Sequence, residues 1–553
     1  MTHPSRFDPT GRRRPTSDRF DVRRLNPPNR LWGANGVAFG PDGRLYVAQF
    51  LAGQISAVDP ASGDVEVVVE LDSPVQAPDD LAFGADGSMY ITDLTPGRVW
   101  RRGPGGDYGL VCDALRAPNG ITCVGDRLFV NEMTMNGRLL ELFPGGGDPV
   151  VLTDGLALGN AMQLGPDGWL YYPHMVDNQV WRIPPDGGTP ELFARDVHDP
   201  VAVRFDRGGT LVVLSRGIAG IVTRIDLATG ARSVVTSGVA GLDNAAFDAE
   251  NRMFVSSFAS GGVTQMHADG RIREIVPRGL DGPYGITVDL GGTVHAADHY
   301  RLARLTGSAS DEPGGTTRAL MPFVHGVTAD DGLLHTTSQL GQVRTEDPAR
   351  GTTRLRATGL NEPGGLAVAP DGSLVVAESG AGRVVRIDEA DTLTVLAEGL
   401  AHPVDVAFDE RATCYVSDDR LGAVLRVDDG KAVTVADGLG SPQGLAVRCN
   451  KLFTVEVEHR RLRSISLVTG ESRIEAEDLA VGLPPGVAGP HPAPVSAPAG
   501  PPRQFAGLAL SPDGALLVSA NGEGSVLRLT IRRRDNRNSR GNRSAEHPEE
   551  TCE

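Results

Sequence analysis

Short apolar runs alternate with turn residues along nearly the whole chain. ANGVAFGPDGRLYVAQF, from Ala34, sets the unit: an apolar run, a P-D-G turn, then a second run rich in β-branched and aromatic residues. Such a unit is a β-hairpin, with Gly or Asp supplying the turn conformations. A third run follows, as in GRVWRR (Gly97 to Arg102) or GRVVRI (Gly382 to Ile387), and a fourth such as DVEVVVE (Asp64 to Glu70). The unit recurs about every 40 residues. Clear copies begin at Pro78, Pro118, Gly159, Pro363, Pro403, Pro442 and Ala506, and weaker ones lie around Phe205, Phe247, Val288 and Ala329. Four antiparallel strands per repeat make a propeller blade. Helical periodicity is absent, so the expected fold is all-β, a β-propeller of twelve four-stranded repeats.

Single cores rarely grow beyond ~250–300 residues. Twelve blades therefore predict two six-bladed rings, at 20–280 and 281–531, rather than one wide ring. FDVRRL (Phe20 to Leu25) is grouped with the first ring as a closing strand. The twelfth repeat ends at SVLRLTI (Ser525 to Ile531) without a fourth strand, and FDVRRL is available to supply it and cover the sheet edge. Residues 1–19 and 532–553 read as disordered tails, and the Pro/Gly-rich 479–503 as a long loop or lid.

Charge narrows the function. Lys+Arg 53 against Asp+Glu 70 gives −17 over 553 residues, which argues against a nucleic-acid surface. No apolar run approaches the ~18 residues of a membrane span, and the Arg-rich start lacks the apolar stretch of a secretory signal. The five cysteines are widely spaced without C-x-x-C, which argues against a disulfide framework or zinc knuckle and suits a reduced, cytoplasmic protein. The expected partner is a small-molecule substrate, with a protein partner left open.

Chemistry concentrates at one position of the repeat. The residue leading the first run is Asn35, Asp79, Asn119, Asn160, Val201 and Asp243 in the first six copies. Taken as innermost residues at one mouth of the ring, these oxygens suit a hard divalent cation, with Ca, Mg and Zn all considered. Asn and Asp also cap turns, but the other copies carry Tyr284, His325, Gly364, Val404, Gln443 and Ala506 there, so the hairpin does not demand a polar residue. Asp79, Asn119, Asn160 and Asp243 are the expected metal ligands, and Asn35 and Arg216 the expected substrate contacts. If cross-strand pairs are equidistant from the turn, the residues ending the second run face the same mouth. Glu132 and His174, with Asp243, are then candidates for proton transfer. The second half offers an alternative site in His325, Glu378 and Glu456. No G-x-S-x-G, P-loop or H-E-x-x-H motif occurs.

PNGIT (Pro118 to Thr122), GPDGRLYVA (Gly40 to Ala48) and PDDLAF (Pro78 to Phe83) resemble the senescence marker protein/gluconolactonase family. That resemblance implies a six-bladed propeller with a divalent metal in its channel and lactone hydrolysis as the activity. Asn119 matches the family's metal-binding Asn, Asp79 is nearest its Asp, and Asn35 stands where the family has Glu. PYGITV (Pro283 to Val288) is similar to the repeat of virginiamycin B lyase, which implies ring opening by elimination with His325, Glu378 and Glu456 at the matching positions. Non-catalytic NHL-type propellers share the hairpin. The expected function is metal-dependent lactone or ester hydrolysis, with a lyase or cyclase, or a binding propeller, as alternatives.

Overall fold

The computed structural model describes residues 4–305, 315–428, 430–483 and 505–532. Its strands form ten four-stranded antiparallel sheets and one of six strands. The six-stranded sheet joins the seventh and eighth blades through two long strands, Val294–Leu305 and Thr316–Asp330. The only helical turn among the described residues is Ser379–Ala381. Each blade obeys the local rule of its sequence. Apolar residues alternate to face the neighbouring blades, as with Leu45 and Val47 of the first blade, while Gly43 and its equivalents hold the turn at φ near +80°.

The innermost strands touch in two closed cycles. One runs through Val37–Phe39, Pro78–Phe83, Pro118–Val124, Gln163–Leu164, Pro200–Phe205 and Leu242–Phe247, and back to the first. The other runs through Ile286–Val288, Thr316–Asp330, Pro363–Val368, Pro403–Phe408, Pro442–Arg448 and Leu508–Leu510. The protein is therefore a β-propeller of two six-membered rings. The recurring Gly after the leading residue is a packing device. A Cβ on Gly120 would lie 2.2 Å from the Asn160 carbonyl oxygen, and one on Gly36 would lie 2.4 Å from Asp80 Oδ1.

Phe20–Arg24 pairs with Ser525–Ile531, from Phe20 opposite Ile531 to Arg24 opposite Leu527. It is thus the outer strand of the twelfth blade and not of the first ring. Residues 4–19 before it are packed rather than disordered. Phe7 is 4% exposed and joins the core of the last two blades, and Thr16 bridges Glu477. Arg6 is driven between the rings, where its guanidinium bonds the carbonyls of Leu31, Leu280, Asn521 and Gly522 and lies 4.9 Å over the Trp32 ring. Residues 484–503 of the Pro-rich loop and 533–553 of the C-terminal tail lie outside the described residues.

Cys112, Cys123 and Cys414 are free. Among the described residues no helix is long and apolar enough to cross a membrane.

Candidate functional site

The leading residues of the first ring do converge. Asn35, Asp79, Asn119, Asn160 and Asp243 are all between 2% and 7% exposed. Asn119 Nδ2 donates to Asp79 Oδ1 at 3.0 Å and to the Met133 sulfur at 3.2 Å. Asp79 is held at about 7, first by burial and then by the adjacent Asp80 carboxylate. Asp243 is raised well above the usual carboxylate range by burial and by the charges of Asp79 and Asp80. Two carboxylates thus face one another in a space with little water, where both cannot stay ionised without a cation or a proton between them. Asn119 Oδ1 is buried there without a hydrogen-bond partner.

Asn160 is used differently. Its Oδ1 accepts the N–H of Ala161 at 2.6 Å, and its Nδ2 faces the sulfurs of Met133 and Met175. The turn-capping role fits this residue. Below the mouth, Asp80 fills the channel. It accepts Asn244 Nδ2 at 3.0 Å, Ile121 N at 3.3 Å and Arg204 at 3.4 Å. Arg204 also bonds the carbonyls of Met162 and Ala245. This plug separates the mouth from an open cavity of ≈ 580 Å³ on the opposite face of the ring.

The residues ending the second strands do not join the mouth. In six of the blades the one facing them is the proline before the leading residue, as in Pro78 opposite Asp93 and Pro118 opposite Glu132. A register shift follows between Pro118 and Ile121, and a slip of one residue sends a side chain to the other face. These side chains instead grip the loop that enters their own blade. Asp93 accepts Ala77 N, Glu132 accepts Arg116 N, Glu378 accepts Asn361 N and Glu456 accepts Gly440 N. Glu132 is further bound by the guanidinium groups of Arg116 and Arg138, which hold it below the usual carboxylate range against the upward push of burial. Glu456 lies at about 2; burial raises it, and Arg461, Gly440 N and Arg463 more than offset this. Glu132, Glu378 and Glu456 therefore act as clamps on the loops that enter their own blades.

His174 stacks on Trp181 with centroids 5.3 Å apart and faces Asp177 at 3.4 Å, while burial lowers its basicity. Arg216 forms an exposed ion pair with Asp199 at 3.0 Å. Neither lies among the mouth residues. In the second ring His325 is stacked between Tyr284 and Phe505, at 5.2 and 5.3 Å.

Residues that sequence reasoning missed complete the picture. Asp80 stands inside the PDDLAF motif, one position past the chosen Asp79; Asn244 occupies its equivalent in the sixth blade, and Arg204 reaches it from further along the inner strand of the fifth. Met133 and Met175 directly follow Glu132 and His174. Among the described residues no three His, Cys, Asp or Glu side chains group to hold a metal, so any cation here draws on amide oxygens. The fit is good: two carboxylates that repel each other, and an amide oxygen with no partner.

No family model matches the chain, and no curated protein matches it significantly. Solved propellers are similar at low identity. A catalytically inactive virginiamycin B lyase from Staphylococcus aureus with quinupristin is 20% identical, covering 50% of this chain and 96% of its own, with a TM-score of 0.38. A gluconolactonase from Xanthomonas campestris is 16% identical over 43% of this chain and 87% of its own, TM-score 0.37. A calcium-binding regucalcin from Agrobacterium tumefaciens is 19% identical over 44% and 86%, TM-score 0.35. Each aligns with half of this chain or less, and the chemistry of the site rests on the residues alone.

Proposed function

We propose that the chain is a divalent-cation-dependent enzyme acting on a small molecule, with lactone or ester hydrolysis as the reaction its first-ring mouth suits best. The observation that carries this reading is the unpaired, buried Asn119 Oδ1 beside the Asp79–Asp243 pair. Asp79, Asp243 and Asn119 would hold the cation, with Asn35 beside them, and an all-oxygen set favours Ca²⁺ or Mg²⁺ over Zn²⁺. A cation so held polarises a substrate carbonyl and lowers the pKa of water. The protein's own contribution is positional. The Asp79–Asn119 bond fixes one carboxylate, and the raised proton affinity of the buried Asp79 and Asp243 without a cation is the electrostatic cost that a bound divalent ion would relieve. The apolar surround of Phe50, Leu51 and Leu94 excludes bulk water and restricts the substrate to a small molecule.

That same surround favours a second reading, in which the cation is structural and the protein is a binding propeller. Metal content by mass spectrometry, beside an Asp79→Ala/Asn119→Ala variant, tests the site. About one ion per wild-type chain, missing from a folded variant, supports it. Chelator-sensitive turnover of lactones or esters, with oxygen taken up from isotopically labelled water, separates hydrolysis from binding alone and from a lyase.

A further inference from the structure

Tyr300 belongs to the second ring by sequence and to the first ring by contact. It packs against the cluster of Trp32, Phe50, Leu51 and Leu94, as does Met133, and meets Phe258 edge-on with centroids 5.1 Å apart. Phe50, Leu94, Met133, Met175 and Phe258 all occupy one position of the repeat, directly after the residue that ends the second strand. They form an apolar collar around the polar mouth, interrupted at the fifth blade, where Arg216 takes this position and pairs with Asp199, and the Asn119–Met133 bond puts collar and donor set in contact. Tyr300 closes that collar.

The backbone that delivers it is strained. His299, immediately before, sits at φ 54, where the strand Val294–Leu305 shifts register against Thr316–Asp330. The left-handed region disfavours a residue with a Cβ, so the conformation is held by its surroundings. His299 is fully buried between Tyr300 at 4.2 Å and Phe323 at 5.0 Å, and neither of its ring nitrogens has a partner. Nothing in hydrogen bonding rewards this conformation; its visible effect is to set Tyr300 against the other ring. The ionisable groups around the phenol are Asp79 and Asp243 from the first ring and Asp281 and Tyr284 from the second, with His299 against its ring. Burial and those carboxylates hold the phenol well above its usual range, so it remains a neutral donor.

We propose that the Tyr300 hydroxyl is part of the first-ring site, a hydrogen-bond donor supplied by the second ring to the oxygen that occupies the space between Asp79, Asp243 and Asn119. The proposal rests on the reading of that mouth as a site, and it makes the site composite: neither ring alone contains all of it. The oxygen it would meet is a cation's water or the carbonyl of a small substrate.

The test uses the full chain and four proteins: wild type, Asp79→Asn, Tyr300→Phe and the double variant. In chelator, chemical denaturation gives a double-mutant cycle that needs no metal. Shared action on one oxygen predicts non-additive midpoints, with Tyr300→Phe costing less in the Asp79→Asn background. Calorimetric titration with Ca²⁺ then predicts roughly tenfold weaker binding in Tyr300→Phe, the worth of one good hydrogen bond. Phe258→Leu, which loosens the collar but keeps the hydroxyl, retains wild-type affinity if the phenol group matters rather than its packing. Additive midpoints, or a Phe258→Leu loss equal to that of Tyr300→Phe, overturn the proposal. If the wild type takes up neither Ca²⁺ nor Mg²⁺, the metal reading fails by itself, and the cycle still decides the place of Tyr300.

Discussion

Asn119 gives a hydrogen to Asp79 across 3.0 Å, so an amide of the third blade steadies a carboxylate of the second. The same amide keeps its oxygen buried and unpaired. Asn119→Ala therefore removes the bonds to Asp79 and to the Met133 sulfur together with one stranded acceptor. Its chelated form should melt with a stability change within about 1 kcal/mol, while Ca²⁺ affinity falls roughly tenfold or more. Calorimetry in the two conditions checks this, and a large loss of stability without metal would count against the site.

The clamps make the opposite prediction. Glu132 has no side-chain exposure and holds Arg116 N at 2.9 Å with both neighbouring guanidinium groups. Glu132→Ala should cost about 1.5–3 kcal/mol for its charge-assisted bonds and leave Ca²⁺ affinity unchanged. Urea denaturation paired with calorimetry separates this from a catalytic role, in which affinity or turnover would fall without loss of stability.

Acid and base should act on different residues. Asp405, in the channel of the second ring, is pushed up to about 7 by burial. Because the folded chain binds this proton more tightly than the unfolded one, stability is lost as pH rises from about 4 through 7. Glu456 sits at about 2, so its contribution is present above the unfolded value near 4.5 and is lost as pH falls toward 2. Melting curves between those limits should show Asp405→Asn gaining on the wild type as pH rises, and Glu456→Gln losing most near neutrality and least in acid.

Arg6 is the latch between the rings. Burial lowers its pKa to about 10, and its bonds reach carbonyls on both sides of the junction, Leu31 at 3.0 Å and Asn521 at 2.8 Å among them. Arg6→Ala strands those buried carbonyls, each worth about 1–3 kcal/mol. Hydrogen exchange should quicken at Gly33 and Gly282, whose N–H groups donate to Asp281 and Asp298 beside the latch. Unchanged exchange at both would show that the rings stay joined without it.

The propeller was legible because its rules are local. P-D-G turns and alternating runs declare each hairpin within a dozen residues, and the leading positions of the first ring follow from counting back from the turn. Counting in that way places Asp79, Asn119 and Asp243 at one mouth, where the structure has them buried together. Glu132, Glu378 and Glu456 were misplaced because counting assumes an even ladder, whereas the chain slips by a residue after each proline, as at Pro118 and Pro363. Asp80 stands beside Asp79 in the same motif, and nothing local tells a mouth carboxylate from a channel carboxylate. Tyr300 and Arg6 had no signal at all. Their partners lie in another ring, and periodicity within a repeat carries no information about what faces it from outside.

The pairing of Phe20–Arg24 with Ser525–Ile531 also has a consequence for synthesis. Val526 N donates to Asn26 Oδ1 across 500 residues of chain. At a translation rate of roughly 5–20 residues per second, the ribosome exposes the early strand on the order of half a minute or more before its partner emerges. The first ring can close on the nascent chain during that interval, but the second cannot. Until then a strand edge is offered to any neighbour, so newly made chains on one message are the population in which this protein would exchange strands.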